Sequence, residues 1–220
     1  MKYYKALLFG SIGSIVETSE IQRKSFNKAF KQYGLDWNWT KREYQNLLSK
    51  SGGKDRISRY AKKKKIEVNS VYLRNLKTKF FNNYLKKNHL KLRPGVKNLI
   101  SLCKKENIKI AFVSSTSTNN INAILYCLRN SINKRDFNFI GNAKLVKKYK
   151  PNPDIYLLAL KKLKLKANDC VAIEDSQESL NSARRAKIKC IIFPGKFHSS
   201  KKFTGACKKV YQLNKNIILR

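Results

Sequence analysis

Two acidic residues stand side by side in Val171-Ala172-Ile173-Glu174-Asp175-Ser176, in a chain of 220 residues with only 13 acids against 49 Lys and Arg. Carboxylates at the end of an apolar run are oxygen ligands suited to Mg²⁺, which takes one or two of them and fills its shell with water and substrate phosphate. The bland reading is that Asp175 or Ser176 caps a following helix. A second group is Lys150, set in Lys148-Tyr149-Lys150-Pro151-Asn152-Pro153-Asp154-Ile155-Tyr156. Two prolines stiffen that loop, so this lysine could serve as a fixed cation for a phosphoryl group. A third is the hydroxyl cluster Ser114-Ser115-Thr116-Ser117, directly after the apolar Ile110-Ala111-Phe112-Val113. Hydroxyls ahead of a helix suit a phosphate at its N-terminus, and equally suit simple N-capping. The fourth is Gly10-Ser11-Ile12-Gly13-Ser14 after Ala6-Leu7-Leu8-Phe9. Such a Gly/Ser turn can cradle an anion through its backbone N–H groups, or be an ordinary tight turn.

Each of these segments follows or precedes an apolar run of strand length. Leu7 to Phe9, Ile108 to Val113, Phe137 to Ile140, Cys170 to Ile173 and Cys190 to Phe193 read as strands. Val96 to Lys105, Asn119 to Asn130, Asp154 to Lys164 and Ser176 to Ala186 read as helices between them. Strands alternating with helices predict an α/β fold: a Rossmann-like parallel sheet core with helices on both faces. Open sheets of this kind place their chemistry at the C-terminal strand edge, which gathers all four segments in one place. One stretch breaks the alternation. Ser19 to Tyr33, Lys41 to Leu48, Asp55 to Lys63 and Ser70 to Lys87 are all helical in pattern, and Leu92-Arg93-Pro94-Gly95-Val96 punctuates the return to the core. The domains expected are therefore residues 1–15 with 91–220 as the α/β core, and 16–90 as an inserted all-helical cap over the active-site edge.

Composition bounds the rest. The chain is 42% hydrophobic and 28% charged, as in a globular protein, and no apolar run approaches a membrane span. The first strand begins almost at once, which leaves no room for a leader and implies a cytoplasmic location. Cys103, Cys127, Cys170, Cys190 and Cys207 are odd in number and lack CxxC spacing, so buried free thiols in a reducing cytosol are expected. The net charge of +36 implies attraction to polyanions, nucleic acid included. The lysines are spread over most of the predicted helices and match no zinc-finger or RNP-type signature, so salt-sensitive, nonspecific binding is the form expected. A/T-rich codon usage would produce the same Lys and Asn excess.

In this order the four segments resemble the four motifs of the haloacid-dehalogenase-like hydrolases, in the branch of β-phosphoglucomutases and phosphoglycolate phosphatases with a helical cap. Lys150-Pro151-x-Pro153-Asp154-Ile155-Tyr156, Ile173-Glu174-Asp175-Ser176 and Leu92-Arg93-Pro94-Gly95-Val96 carry the resemblance, which runs from Tyr4 to about Phe193. It implies phosphate-binding roles for Ser114, Ser115 and Lys150. It implies Mg²⁺ as cofactor, with Asp175 as ligand and Glu174 as ligand or partner. Glu17 and Thr18 match the acidic-Thr pair after the first motif, and Gln22 stands where the mutases carry a substrate-shuttling histidine.

The resemblance fails at the first motif. The family's nucleophilic aspartate, which also binds the metal, is Gly10 here, and its acid/base aspartate is Ile12. Loss of an essential nucleophile costs on the order of 10⁶ in rate, and Mg²⁺ should bind more weakly. The expectation is a degenerate site that binds a phosphorylated small molecule or partner. The alternatives are an active Mg²⁺-dependent phosphatase that uses Ser11, Glu17 or a directly attacking water, and a polyanion-binding protein that reuses the fold.

Overall fold

The computed structural model describes residues 2–49, 52–198 and 202–220, which divide into two compact units: 1–17 with 89–220, and 18–88.

The first unit is built on β1 (Ala6–Phe9), β2 (Lys109–Val113), β3 (Phe139–Gly141), β4 (Cys170–Glu174), β5 (Lys189–Ile192) and β6 (Lys208–Lys209). They form one parallel sheet in the order β3-β2-β1-β4-β5-β6. Ala-Leu-Leu-Phe of β1 is wholly buried, as a central strand covered on both faces requires. Alternation sends Ala6, Leu8, Ala111, Val113, Cys170 and Ala172 to one face. There they pack with Ile155, Tyr156 and Ala159 of α7 (Asp154–Leu163) and Leu180 and Ala183 of α8 (Gln177–Arg185). Leu7, Phe9, Ile110 and Phe112 point the other way, and α5 (Val96–Lys105) and α6 (Thr118–Cys127) add buried Val96, Leu99, Ile121 and Ile124.

The register decides where the functional segments fall. Phe9 lies level with Phe112 on one side and Ile173 on the other, so Gly10, Val113 and Glu174 reach the same edge together. Gly95 turns the chain into α5 at a φ of +83°, where its missing side chain leaves room for the backbone of Leu213.

Three details differ from the sequence expectation. The third strand starts at Phe139, because Asn133 and Asp136 form a capping box around a short 3₁₀ turn whose carbonyl binds the Phe137 amide. The sixth strand, two exposed lysines paired only to β5, has no apolar signature. Cys207 is exposed just before that strand, while Cys103, Cys127, Cys170 and Cys190 are buried free thiols. Burial pushes the Cys103 and Cys170 thiols up to about 12, which leaves them unreactive.

The second unit contains α1 (Ser19–Tyr33), α2 (Lys41–Leu47), α3 (Gly53–Lys64) and α4 (Ser70–Lys87), with no strand among its described residues. An aromatic cluster forms its core. Trp39 lies 4.8 Å from Phe26, 4.7 Å from Phe30 and 5.3 Å from Tyr60, centroid to centroid. Asn27 holds the Trp39 backbone at both its amide and its carbonyl. One residue runs against the apolar pattern. Lys77 of α4 is buried between Phe26 and Phe81, and burial with the nearby Arg56 and Arg74 lowers its amine to about 7.

A lysine whose folded pKa lies below its unfolded value binds fewer protons when folded. It therefore reduces stability at neutral pH, and that cost fades as pH rises towards 10.5. Lys77→Met, which keeps the apolar stem, should stabilise the protein at pH 7 by an amount on the order of 2–3 kcal/mol. Paired urea titrations of variant and parent should show that advantage shrinking between pH 7 and pH 10.

Candidate functional site

The first turn is closed by its own serines. Ser11 caps the 3₁₀ turn at Ile12–Ser14: its Oγ accepts the Ser14 amide at 3.2 Å, and the Ser14 hydroxyl donates to the Ser11 carbonyl at 2.7 Å. The Ile12 carbonyl accepts the amides of Ile15 and Val16 at 3.0 and 2.9 Å. Arg93 then fixes the turn from outside. Its guanidinium donates to the carbonyls of Gly13, Phe193 and Pro194 at 2.6–2.7 Å and stacks 3.4 Å over the Phe193 ring. Sequence reading placed Arg93 only at the re-entry to the core. A single arginine beside Pro-Gly gives no sign that three carbonyls converge on it.

Behind the turn lies a buried charge cluster. Lys150, delivered by the loop before α7, donates to the Gly10 carbonyl and to Glu174 Oε1, the latter at 2.6 Å. Tyr156, in the first turn of α7, donates its hydroxyl to the same oxygen at 2.6 Å. The Lys150 ammonium sits 4.8 Å from the Tyr156 ring. Glu174 is completely buried, and its Oε2 has no hydrogen-bond partner. Burial raises its carboxyl above the usual range, against the pull of Lys150. Burial, reinforced by the Glu174 charge, holds the Tyr156 phenol far above its usual value.

Gly10 explains how this trio fits. A β-carbon built on Gly10 would lie well inside contact distance of both Glu174 Oε1 and the Tyr156 hydroxyl. Gly13 is constrained in the same way by an Asp175 carboxylate oxygen. The volume a side chain at position 10 would need is filled from β4 and α7. Sequence reading named Lys150 and Glu174, but treated Tyr156 only as part of a motif, since a tyrosine in a helix's first turn reads as core.

The hydroxyl cluster follows β2. Ser114 is buried with its Oγ accepting the Thr116 amide at 3.1 Å, and Ser115 Oγ is buried without a partner. Ser117, rather than Ser114 or Ser115, caps α6. The capping duty is thus filled by another residue, and the Ser115 hydroxyl has no part in it. Neither suggested replacement nucleophile is idle. Ser11 closes its turn, and Glu17 accepts the Lys196 amide at 2.8 Å.

The carboxylates that could hold a Mg²⁺ here are those of Asp175 and Glu174. Among the described residues no three His, Cys, Asp or Glu side chains gather as ligands. Glu174 is committed to Lys150 and Tyr156, and the Ile12 carbonyl already accepts two amides. That leaves Asp175 and one Glu174 oxygen, the one or two carboxylates that Mg²⁺ takes when water and ligand phosphate fill the rest of its shell.

Gly10→Ala should destabilise the protein by about 1–3 kcal/mol, because the new methyl forces two locked polar groups apart. Tyr156→Phe removes one of the two colliding atoms, so Gly10→Ala should cost less in that background. Thermal denaturation of the four proteins in a double-mutant cycle measures the coupling.

Comparison with known proteins agrees with this architecture. The family model described as haloacid dehalogenase-like hydrolase matches residues 13–193, starting directly after the Gly10–Ile12 segment. The protein CbbY of Cereibacter sphaeroides is 34% identical over 205 residues, covering 92% of this chain and 89% of its own. The CbbY-like protein of Arabidopsis thaliana is 32% identical and covers 91% of this chain and 66% of its own. The crystal structure of CbbY from Rhodobacter sphaeroides in complex with phosphate superposes with a TM-score of 0.86 at 33% identity, covering 94% of this chain and 93% of that one. A variant of that protein, solved with xylulose 1,5-bisphosphate, superposes equally well. With the sheet order, the strand-edge site and this match in agreement, the chain belongs to the haloacid dehalogenase-like hydrolase family.

Proposed function

We propose that this chain binds a phosphorylated small molecule, a sugar phosphate by preference, and has lost efficient phosphoryl transfer. The observation that carries the reading is the filled space at Gly10. The place from which the family's nucleophile projects holds Glu174 Oε1 and the Tyr156 hydroxyl, both locked by hydrogen bonds. Nucleophilic catalysis needs an attacking group free to reach phosphorus and a base or acid beside it. Gly10 and Ile12 supply neither, and Ser11 and Glu17 are engaged elsewhere.

Binding rests on different groups. The Ser114–Ser117 hydroxyls at the start of α6 and the ammonium of Lys150 are donors of the kind a phosphate dianion needs. The relatives solved with phosphate and with xylulose 1,5-bisphosphate give the ligand class its chemistry. Family members generally use Mg²⁺, so the cation belongs in any assay.

The decisive measurement screens sugar phosphates, ketose bisphosphates and phosphoglycolate with Mg²⁺ for both thermal stabilisation and phosphate release. The expected result is a rise in melting temperature with at least one ligand and no release above the buffer rate. Lys150→Gln should erase that rise, read against the variant's own ligand-free melting temperature, which falls because Glu174 loses its ammonium partner. Mg²⁺-dependent release that disappears in Lys150→Gln would overturn the proposal.

A further inference from the structure

The second unit carries a groove of its own, about 530 Å³ in volume, between the end of α1, the end of α3 and the segment that leads into α4. Its walls include Tyr33, Ser58, Lys62, Ile66, Glu67 and Asn69. Ile66 is 40% exposed, and the Tyr33 ring leans towards Tyr72, 5.9 Å away and 53% exposed. Apolar surface therefore meets solvent where the sequence is strongly basic. α3 ends in Lys62-Lys63-Lys64-Lys65, and all four are exposed.

The polar groups of the wall are mostly donors. The Tyr33 hydroxyl oxygen accepts the Asn69 amide at 3.1 Å, which leaves its proton to be donated. The Asn69 side-chain oxygen accepts the Tyr72 amide at 2.9 Å as it caps α4, and its NH₂ group has no acceptor among the described residues. Nor has the Ser58 hydroxyl a partner among them. Lysines in the last turn of a helix offset its dipole. None of Lys62 to Lys65 meets a carboxylate among the described residues, however, so their charge is left over. α4 adds the amide end of an 18-residue helix with no acid in its first turn. Glu67 is the single anion of the wall.

We propose that this groove docks single-stranded nucleic acid, with one nucleotide seated against Tyr33 and Ile66 and the flanking phosphates along Lys62 to Lys65. Every base has a flat face for an aromatic or apolar wall, and phosphates pair with lysines without regard to sequence. Ser58, Asn69 and Tyr33 donate to phosphate and ribose oxygens, while Glu67 accepts from a base's exocyclic amino group. An acidic peptide would set its carboxylates against Glu67 and gain less from the aromatic wall. The net charge of +36 attracts any polyanion to the whole chain, whereas the groove adds a seat for a base.

This inference is independent of the phosphate site, and its test reads oligonucleotide binding rather than phosphate release. A fluorescein-labelled oligoadenylate of about twelve nucleotides is titrated with the full chain, and anisotropy is followed between about 50 and 200 mM salt. The triple variant Lys62→Gln, Lys63→Gln, Lys64→Gln is compared with Lys161→Gln, Lys162→Gln, Lys166→Gln. The second triple removes the same charge from exposed positions at and beyond the end of α7. The first triple should bind about tenfold or more weakly at physiological salt, with a salt slope lower by about 2, since each phosphate on a single strand contributes roughly 0.7. The second should lose less than about threefold. Equal losses overturn the proposal, because the attraction is then general. A charge-matched abasic oligomer should bind at least about fivefold more weakly than oligoadenylate, and equal affinity overturns the seat for a base. Polyglutamate of equal charge that displaces the probe as well as unlabelled oligoadenylate does would overturn the choice of partner in favour of an acidic protein. Ultraviolet crosslinking with peptide mass spectrometry should place adducts at Tyr33 or within residues 66–69. Adducts confined to other segments overturn the location.

Discussion

The first unit turns on one buried ion pair. Lys150 and Glu174 lie at the C-terminal edge of the sheet, one 7% exposed and the other fully enclosed, and each is the charge partner of the other. Such a pair persists only with good geometry and further hydrogen bonds, because both ions have given up water. The Tyr156 hydroxyl and the Gly10 carbonyl provide those bonds. A carboxylate at position 10 would make this cluster two anions against one ammonium, a balance that calls for a metal ion. With glycine there, Lys150 and Glu174 balance each other, and Asp175 stands beside them as a further anion.

The second unit solves its own burial problem in the opposite way. Lys77 keeps its aromatic walls and a neutral amide as company, and relief comes from losing a proton rather than gaining a counterion. In a chain of net charge +36 an added repulsion of this kind is easy to accumulate and costly to bury. A cation held in an apolar setting without a carboxylate is thus a feature to explain rather than another surface lysine.

Much of this was legible in the residues. The strand runs and the strand-edge positions of Ser114, Lys150 and Glu174 follow from apolar periodicity and from where open parallel sheets end, and a helical stretch is read over 16–90 where the second compact unit spans 18–88. The capping box at Asn133–Asp136 displaced one strand boundary, and β6 escaped because edge pairing by two lysines leaves no apolar trace. The hydroxyl of Tyr156, the carbonyls that meet Arg93 and the isolation of Lys77 could not be read at all. Each depends on which atoms from distant segments meet, and a one-dimensional pattern records only which faces are apolar.

Arg93 separates shape from chemistry in this site. Its guanidinium ties three carbonyls, one of them from the turn itself, and the serines of that turn bond to each other. The loop therefore keeps its form with no contribution from the side chains of positions 10 and 12. A scaffold of that kind tolerates the exchange of its reactive groups, because no main-chain support is lost with them. The turn is a frame whose contents can be replaced, and a new activity at this strand edge could arise through side chains alone.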